Sequence, residues 1–178
     1  MERTERFLRL LMEEMIKQEV YHDILETWDL KLFLQSAQLH DVGKIAIKDN
    51  ILMKPDALTK EEFEEMKKHV SFGETVIEKI QEGARESVFL THAKIMVGTH
   101  HEKWDGTGYP RGIAGSNIPL QGRLMALVDV YDALISERPY KKAFTPDQAL
   151  QIMKEGSGTQ FDPALVEIFI LAAKHFHE

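Results

Sequence analysis

Apolar residues recur along this chain at intervals of three and four, the period of an amphipathic helix. From residue 2 to about 19, Phe7, Leu8, Leu11, Met12, Met15 and Ile16 share one face, with Glu and Lys opposite. Asp29 is placed to cap a second helix that carries Leu30, Phe33, Leu34 and Ala37 and runs to His40, with Gly43 as its stop. Thr59-Lys60-Glu61-Glu62 reads as a capping box, and behind it Phe63, Met66, Val70, Val76, Ile77 and Ile80 are expected to point inward. A fourth helix spans Ser87 to His101. Leu120, Leu124, Leu127, Val128, Tyr131 and Ile135 mark a fifth, which ends before Arg138-Pro139. Thr145-Pro146 and Asp162-Pro163 each set an N-cap before a proline at the first helical position, so each opens a further helix. Gly156 closes the first of these two. The best period-two segment, Lys44 to Ile47, is too short to build a sheet. The pattern predicts an all-α domain of about seven helices.

Composition narrows the function classes. A length of 178 residues fits one domain. Lys and Arg number 22 against 29 Asp and Glu, a formal net charge of −7. That balance argues against a nucleic-acid polymer or an anionic membrane as partner, while leaving room for a local basic pocket. No cysteine is present, which excludes disulfides, thiolate zinc sites and a cysteine nucleophile. No apolar run approaches the ~18 to 20 residues of a membrane span. The opening MERTERF lacks a signal-peptide core, so the expectation is a cytoplasmic protein. Eight histidines then acquire weight, because a transition-metal site here must be built from His, Asp and Glu.

Their placement is informative. His40-Asp41 falls at the end of the second helix, His69 borders the apolar face of the third, and the pair His100-His101 ends the fourth. Met125, Asp129, Asp132 and Ser136 form a second stripe on the fifth helix, where a carboxylate needs a cation or a donor. His22, His92, His175 and His177 read as ordinary core or surface groups. His40, Asp41, His69, His100, His101 and Asp129 together exceed one four-coordinate site, so two divalent metals sharing a bridging carboxylate is the natural count. Asp132 reads equally as a surface carboxylate or as a group holding Lys44 or a histidine ring. The loop from His101 to Gly112 carries Trp104, Tyr109 and Arg111, which can stack on a base or hold a phosphate.

HDVGK (His40 to Lys44), HHEKWDGTGYP (His100 to Pro110), DVYDAL (Asp129 to Leu134), RPYKKA (Arg138 to Ala143) and GTQFDP (Gly158 to Pro163) together resemble the HD-GYP family, a branch of the HD metal-dependent phosphohydrolases. The resemblance implies a helical fold with the metal centre in the bundle core. It implies two or three metals, iron or manganese first, with zinc, nickel or magnesium as other candidates. The implied activity is hydrolysis of cyclic di-GMP to pGpG or GMP, with cyclic GMP-AMP preferred by a few members. Carried over by position, the metal ligands are His40, Asp41, His69, His100, His101 and Asp129, with Asp41 bridging. Lys44 matches the lysine that contacts the scissile phosphate, and Tyr109, Arg138 and Lys141 match substrate-binding positions. Asp105, Gly106, Gly108, Tyr109 and Pro110 form the exposed loop that names the branch, where a diguanylate cyclase is an expected partner.

The resemblance also implies an upstream receiver or sensor domain, so residues 1 to 178 read as one HD-GYP-like domain of a longer protein. The family's further upstream histidine aligns just before Met1, and His22 lies too far along to replace it. The expectation is therefore two unequal sites, the fuller one built on His69, His100 and His101, and no third metal. Two other readings compete with hydrolysis of a cyclic dinucleotide. One is a catalytically weak sensor or docking module that uses the loop. The other is an HD nucleotidase or (p)ppGpp hydrolase, against which the loop argues.

Overall fold

The computed structural model describes residues 2–83, 87–137 and 142–176. Arg138 and Lys141, expected to bind substrate, lie outside the described residues, as does His177. Among the described residues the chain is helical, its one β-feature being an isolated bridge between Ser157 and Phe161. The helices are α1 (Glu2–Lys17), α2 (His22–Leu25), α3 (Leu30–Ser36), α4 (Asp49–Leu52), α5 (Lys60–Lys67), α6 (His69–Glu82), α7 (Val88–Thr99), α8 (Leu120–Ile135), α9 (Pro146–Glu155) and α10 (Pro163–Ala172). Short 3₁₀ turns at Ala37–Leu39 and Val42–Ala46 link α3 to α4.

The predicted caps at Asp29, Thr59, Thr145 and Asp162 hold, and Ser87 adds one beyond those predicted. Asp29, Thr59, Ser87, Thr145 and Asp162 each accept a backbone N–H from the first turn of their helix. Thr59 and Thr145 form full capping boxes with Glu62 and Gln148. Each such cap is worth about 1 kcal/mol and fixes where its helix begins.

A large core joins α1, α3, α8, α9 and α10. The predicted face of α1 supplies Phe7, Leu8, Leu11, Met12 and Met15, all buried, while Ile16 is 40% exposed. Phe7 stacks on Phe176 at 4.5 Å and meets Tyr131 edge-on at 5.4 Å. From Leu120 to Val128 every residue of α8 is buried, so this helix is the axis of the domain. His92 also belongs here as an ordinary buried group, edge-on to Trp28 and Phe33. A smaller core of Ile77, Leu90, Ala93 and Val97 fills the space between α6 and α7.

Three expectations are corrected, each for a local reason. The second helix does not run to His40. It ends at Ser36, and a 3₁₀ turn leads into His40. Gly43 is not a helix stop either, because it sits inside the Val42–Ala46 turn. There the absent side chain matters more than backbone freedom. A Cβ on Gly43 would overlap the His69 carbonyl oxygen and the Gly73 backbone nitrogen of α6. The same turn contains Lys44, Ile45 and Ala46 of the candidate strand, which is therefore helical in character.

The third helix is broken into α5 and α6 at Lys68. The Met66 carbonyl, which an uninterrupted helix would offer to the fourth residue on, instead accepts a hydrogen bond from His69 Nδ1 at 2.7 Å. The break turns α5 away from the core. Val70 and Ile77 are buried as expected, but Phe63 is 45% and Ile80 48% exposed.

A buried network ties the far end of the domain together. Arg123 Nη1 meets Asp162 Oδ2 at 2.7 Å, and Tyr21 Oη donates to the same oxygen at 2.6 Å. The guanidinium lies over the Tyr21 ring at 4.8 Å and faces Trp104 at 5.9 Å. No helix among the described residues is long and apolar enough to cross a membrane.

Candidate metal centre

Helix ends build this site. His40 follows the turn after α3, His69 opens α6, and His100 and His101 follow α7. At such ends backbone carbonyls keep a second lone pair free, and the histidine rings use it. His40 Nδ1 donates to the Ala37 carbonyl at 2.7 Å, His69 Nδ1 to Met66 at 2.7 Å, and His100 Nδ1 to Met96 at 2.9 Å. In the neutral rings of His69 and His100, donation through Nδ1 leaves Nε2 a free electron pair, the form a metal requires.

Those nitrogens converge on Asp41. Its Oδ1 stands 3.6 Å from His69 Nε2 and 3.9 Å from His100 Nε2. Its Oδ2 stands 3.3 Å from His40 Nε2 and 2.6 Å from Lys44 Nζ. Each carboxylate oxygen thus addresses a different group of side chains. Asp41, His69, His100 and His101 place one ligand atom apiece within 4.8 Å of one another. His40 Nε2 lies 3.8 Å from Asp129 Oδ1, so the sixth residue of the expected set borders the same centre.

Electrostatics agree with a cation site. Burial of the rings pushes the imidazole pKa of His100 down to about 3 and of His101 down to about 2, and lowers that of His69. These three rings are neutral at pH 7. Burial also pushes the Asp41 carboxyl upward, but His40 and Lys44 outweigh it and hold the group well below the usual carboxylate range. Burial, with the charge of Asp41 nearby, raises Asp129.

Two details bear on whether the cluster fits a cation. His100 Nε2 and Asp41 Oδ1 are buried without a hydrogen-bond partner. His101 Nε2 stands 3.2 Å from His69 Nε2, which is the acceptor because the Nδ1 bond of His69 leaves its Nε2 a lone pair. A divalent metal among these atoms satisfies the orphaned groups at once. The residues present fit it.

The loop from His101 to Gly112 is built to hold Tyr109 over this centre. Asp105 Oδ1 accepts from Thr107 N and Oγ1 at 2.9 and 2.7 Å, closing a turn. Gly106 takes φ 81°, which favours glycine. A Cβ at Gly108 would press on the His101 carbonyl oxygen and Glu102 Cα, both at 2.6 Å. Tyr109 then stacks on the His101 ring, centroids 4.7 Å apart, and a cis bond joins it to Pro110. Its hydroxyl is pushed up well above the ordinary tyrosine range by burial and by the charges of Asp41 and Asp129.

Other members of the loop serve differently from expectation. Arg111 does not face the centre for a phosphate. Its Nη1 donates to the Gly98 carbonyl at 2.7 Å, its Nη2 pairs with Glu74, and its N–H donates to Glu102 Oε1 at 2.8 Å. Trp104 N and Asp105 N donate to the carbonyls of Gln160 and Thr159 at 3.2 and 2.8 Å, so this side of the loop is fastened to the turn before α10. Asp132 pairs with Arg3 of α1, not with Lys44 or a histidine, because its position on α8 turns it toward α1. Sequence reasoning missed Glu102, a buried carboxylate next to the HH pair. An acidic residue between two ligand histidines and a glycine loop was the available signal.

The HD domain family model matches residues 2–165. The chain belongs to the HD domain family, in its HD-GYP branch. It is 48% identical over 174 residues to a cyclic di-GMP phosphodiesterase of Vibrio cholerae serotype O1, covering 98% of this chain and 35% of that one. It is 42% identical over 135 residues to a 3′3′-cGAMP-specific phosphodiesterase of the same organism, covering 76% of this chain and 25% of that one. The chain spans roughly a third of the length of these curated relatives. Among solved structures, an HDG"Y"P protein from Bdellovibrio bacteriovorus shares the fold with a TM-score of 0.65 at 18% identity, over 97% of this chain and 51% of that one.

Proposed function

We propose that this HD domain is a metal-dependent phosphodiesterase that hydrolyses cyclic di-GMP to pGpG or GMP. The observation that carries the reading is the convergence of two neutral imidazole nitrogens, of His69 and His100, on one oxygen of a carboxylate whose other oxygen faces His40 and Lys44, with a ligand atom of His101 inside the same cluster. The substrate comes from the names of the relatives.

Asp41, His69, His100 and His101 would hold one metal, and His40 and Asp129 a second, with Asp41 shared between them. Iron or manganese suits this thiolate-free set of imidazoles and carboxylates. The metal, when bound, supplies Lewis acidity and a nucleophilic water at neutral pH. The two sites are unequal, because the first gathers four close ligand atoms and the second two besides the shared carboxylate.

The chain's own residues do the rest. Lys44 keeps its ammonium beside Asp41 and offers its remaining donors to a phosphodiester oxygen as negative charge develops there. Tyr109 stays protonated and is a hydrogen-bond donor over the His101 ring. By the family resemblance Arg138 and Lys141 would add positive charge for a small anionic substrate, which suits an acidic protein. The sensor or docking reading, with a diguanylate cyclase at the loop, is weaker: six candidate ligand residues and Lys44 are present in the chain, and Trp104 and Asp105 are fastened to the domain.

Elemental analysis beside anaerobic turnover of cyclic di-GMP with added Fe(II) or Mn(II) tests the reading. Metal-dependent release of pGpG or GMP is expected. A loaded protein that leaves the dinucleotide intact overturns it. Lys44→Ala is expected to keep its metals and lose about 100-fold in turnover, the scale of one donor to a developing charge. Loss of metal from that variant would show that the lysine holds Asp41 in place instead.

A further inference from the structure

Aromatic contact does not stop at Tyr109. Phe63 of α5 meets its ring edge-on, centroids 6.2 Å apart at 84°. Lys67, one turn further along α5, sets Nζ over both rings, 5.1 Å from the Phe63 centroid and 5.5 Å from that of Tyr109. His101, Tyr109 and Phe63 thus form a continuous ladder from the metal centre to the surface, with an ammonium at its outer end.

Phe63 is not there for the core. It is 45% exposed even with Lys67 across it, and α5 has no buried residue at all. Yet α5 is firmly placed. Its capping box closes one end, Lys54 holds Glu62 at 2.5 Å, and the His69 ring holds the Met66 carbonyl at the other end. An aromatic face held rigidly in solvent beside a polar site is suited to a planar ligand.

We infer that Phe63 and Lys67 form a guanine subsite, a proposal that rests on the phosphodiesterase reading. The base stacks on the open surface of Phe63, and Lys67 donates to its O6 and N7. Guanine presents two acceptors on that edge, whereas adenine presents an amino donor that an ammonium repels. The lysine therefore selects guanine over adenine. One of its three donors serves Glu64 Oε1 at 2.6 Å, which steadies the head and leaves two for the base.

The test measures equilibrium binding of cyclic di-GMP and cyclic di-AMP to the metal-loaded protein, alongside turnover and thermal unfolding. Phe63→Ala is expected to weaken cyclic di-GMP binding about tenfold, the scale of one stacked base, and Phe63→Trp to restore it. Lys67→Met is expected to lower the preference for cyclic di-GMP over cyclic di-AMP about tenfold. Unchanged affinity in Phe63→Ala overturns the inference. So does a Lys67→Met variant that weakens both dinucleotides equally, or a loss that tracks a lowered melting point and resists rescue by Trp. Binding that depends on Phe63 in a loaded protein without turnover would sink the phosphodiesterase reading and leave the subsite standing.

Discussion

Asp41→Ala is expected to remove bound metal from both positions and reduce hydrolysis to background. Its two oxygens divide the site, Oδ1 toward His69 and His100, Oδ2 toward His40 and Lys44, so one substitution strips a ligand from each half. Loss of a supporting group behind a ligand already costs about 10- to 100-fold in metal affinity. Loss of a shared ligand should exceed that at both positions. Elemental analysis after dialysis, with Asp41→Asn as the variant of equal size, checks the result. Full metal content in either variant would mean that Asp41 does not bridge.

Gly43→Ala should be nearly as damaging, although it alters no ligand. The added methyl would overlap the His69 carbonyl oxygen and the Gly73 nitrogen, both backbone atoms that cannot rotate aside. The turn bearing His40, Asp41 and Lys44 must then lift from α6. Overpacking of this kind costs about 1 to 3 kcal/mol, or roughly 2 to 12 °C in Tm for a chain of this size. Because the lift separates Asp41 from His69, metal affinity should fall with stability. Thermal unfolding and metal content read together check this. A variant that melts and loads like the parent would show that the close approach is not required.

Gly43 also illustrates where sequence reasoning runs out. Its neighbours in HDVGK made a helix stop plausible, and only the fold reveals that α6 lies against it. Caps such as Thr59, Thr145 and Asp162 were legible because a side chain bonds to its own backbone a few residues away. The candidate metal residues were legible because imidazoles and carboxylates gathered at helix ends, in a chain without thiolates, have few bland explanations. Asp132 was not, since its partner Arg3 stands 129 residues away in the chain. Arg111 misled for a similar reason: a guanidinium in a loop beside the centre was open to a phosphate until Glu74 and the Gly98 carbonyl were seen to hold it. The break at Lys68 was hidden by an apolar pattern that continues across it, and it depends on a ring competing for one carbonyl.

The two separate cores give the centre a mechanical meaning. Met96 of α7 faces the larger core while Ala93 and Val97 face the smaller, which also takes Ile77 of α6. Asp129 rides on α8 with the first, and His69 rides on α6 with the second. A cation gripped between them is a rivet across a seam. Units with their own cores open with their own free energies, and a ligand that needs both closed adds its binding energy to the weaker one. Metal supply would then set how often α6 swings free, and with it how long an unloaded copy survives a protease.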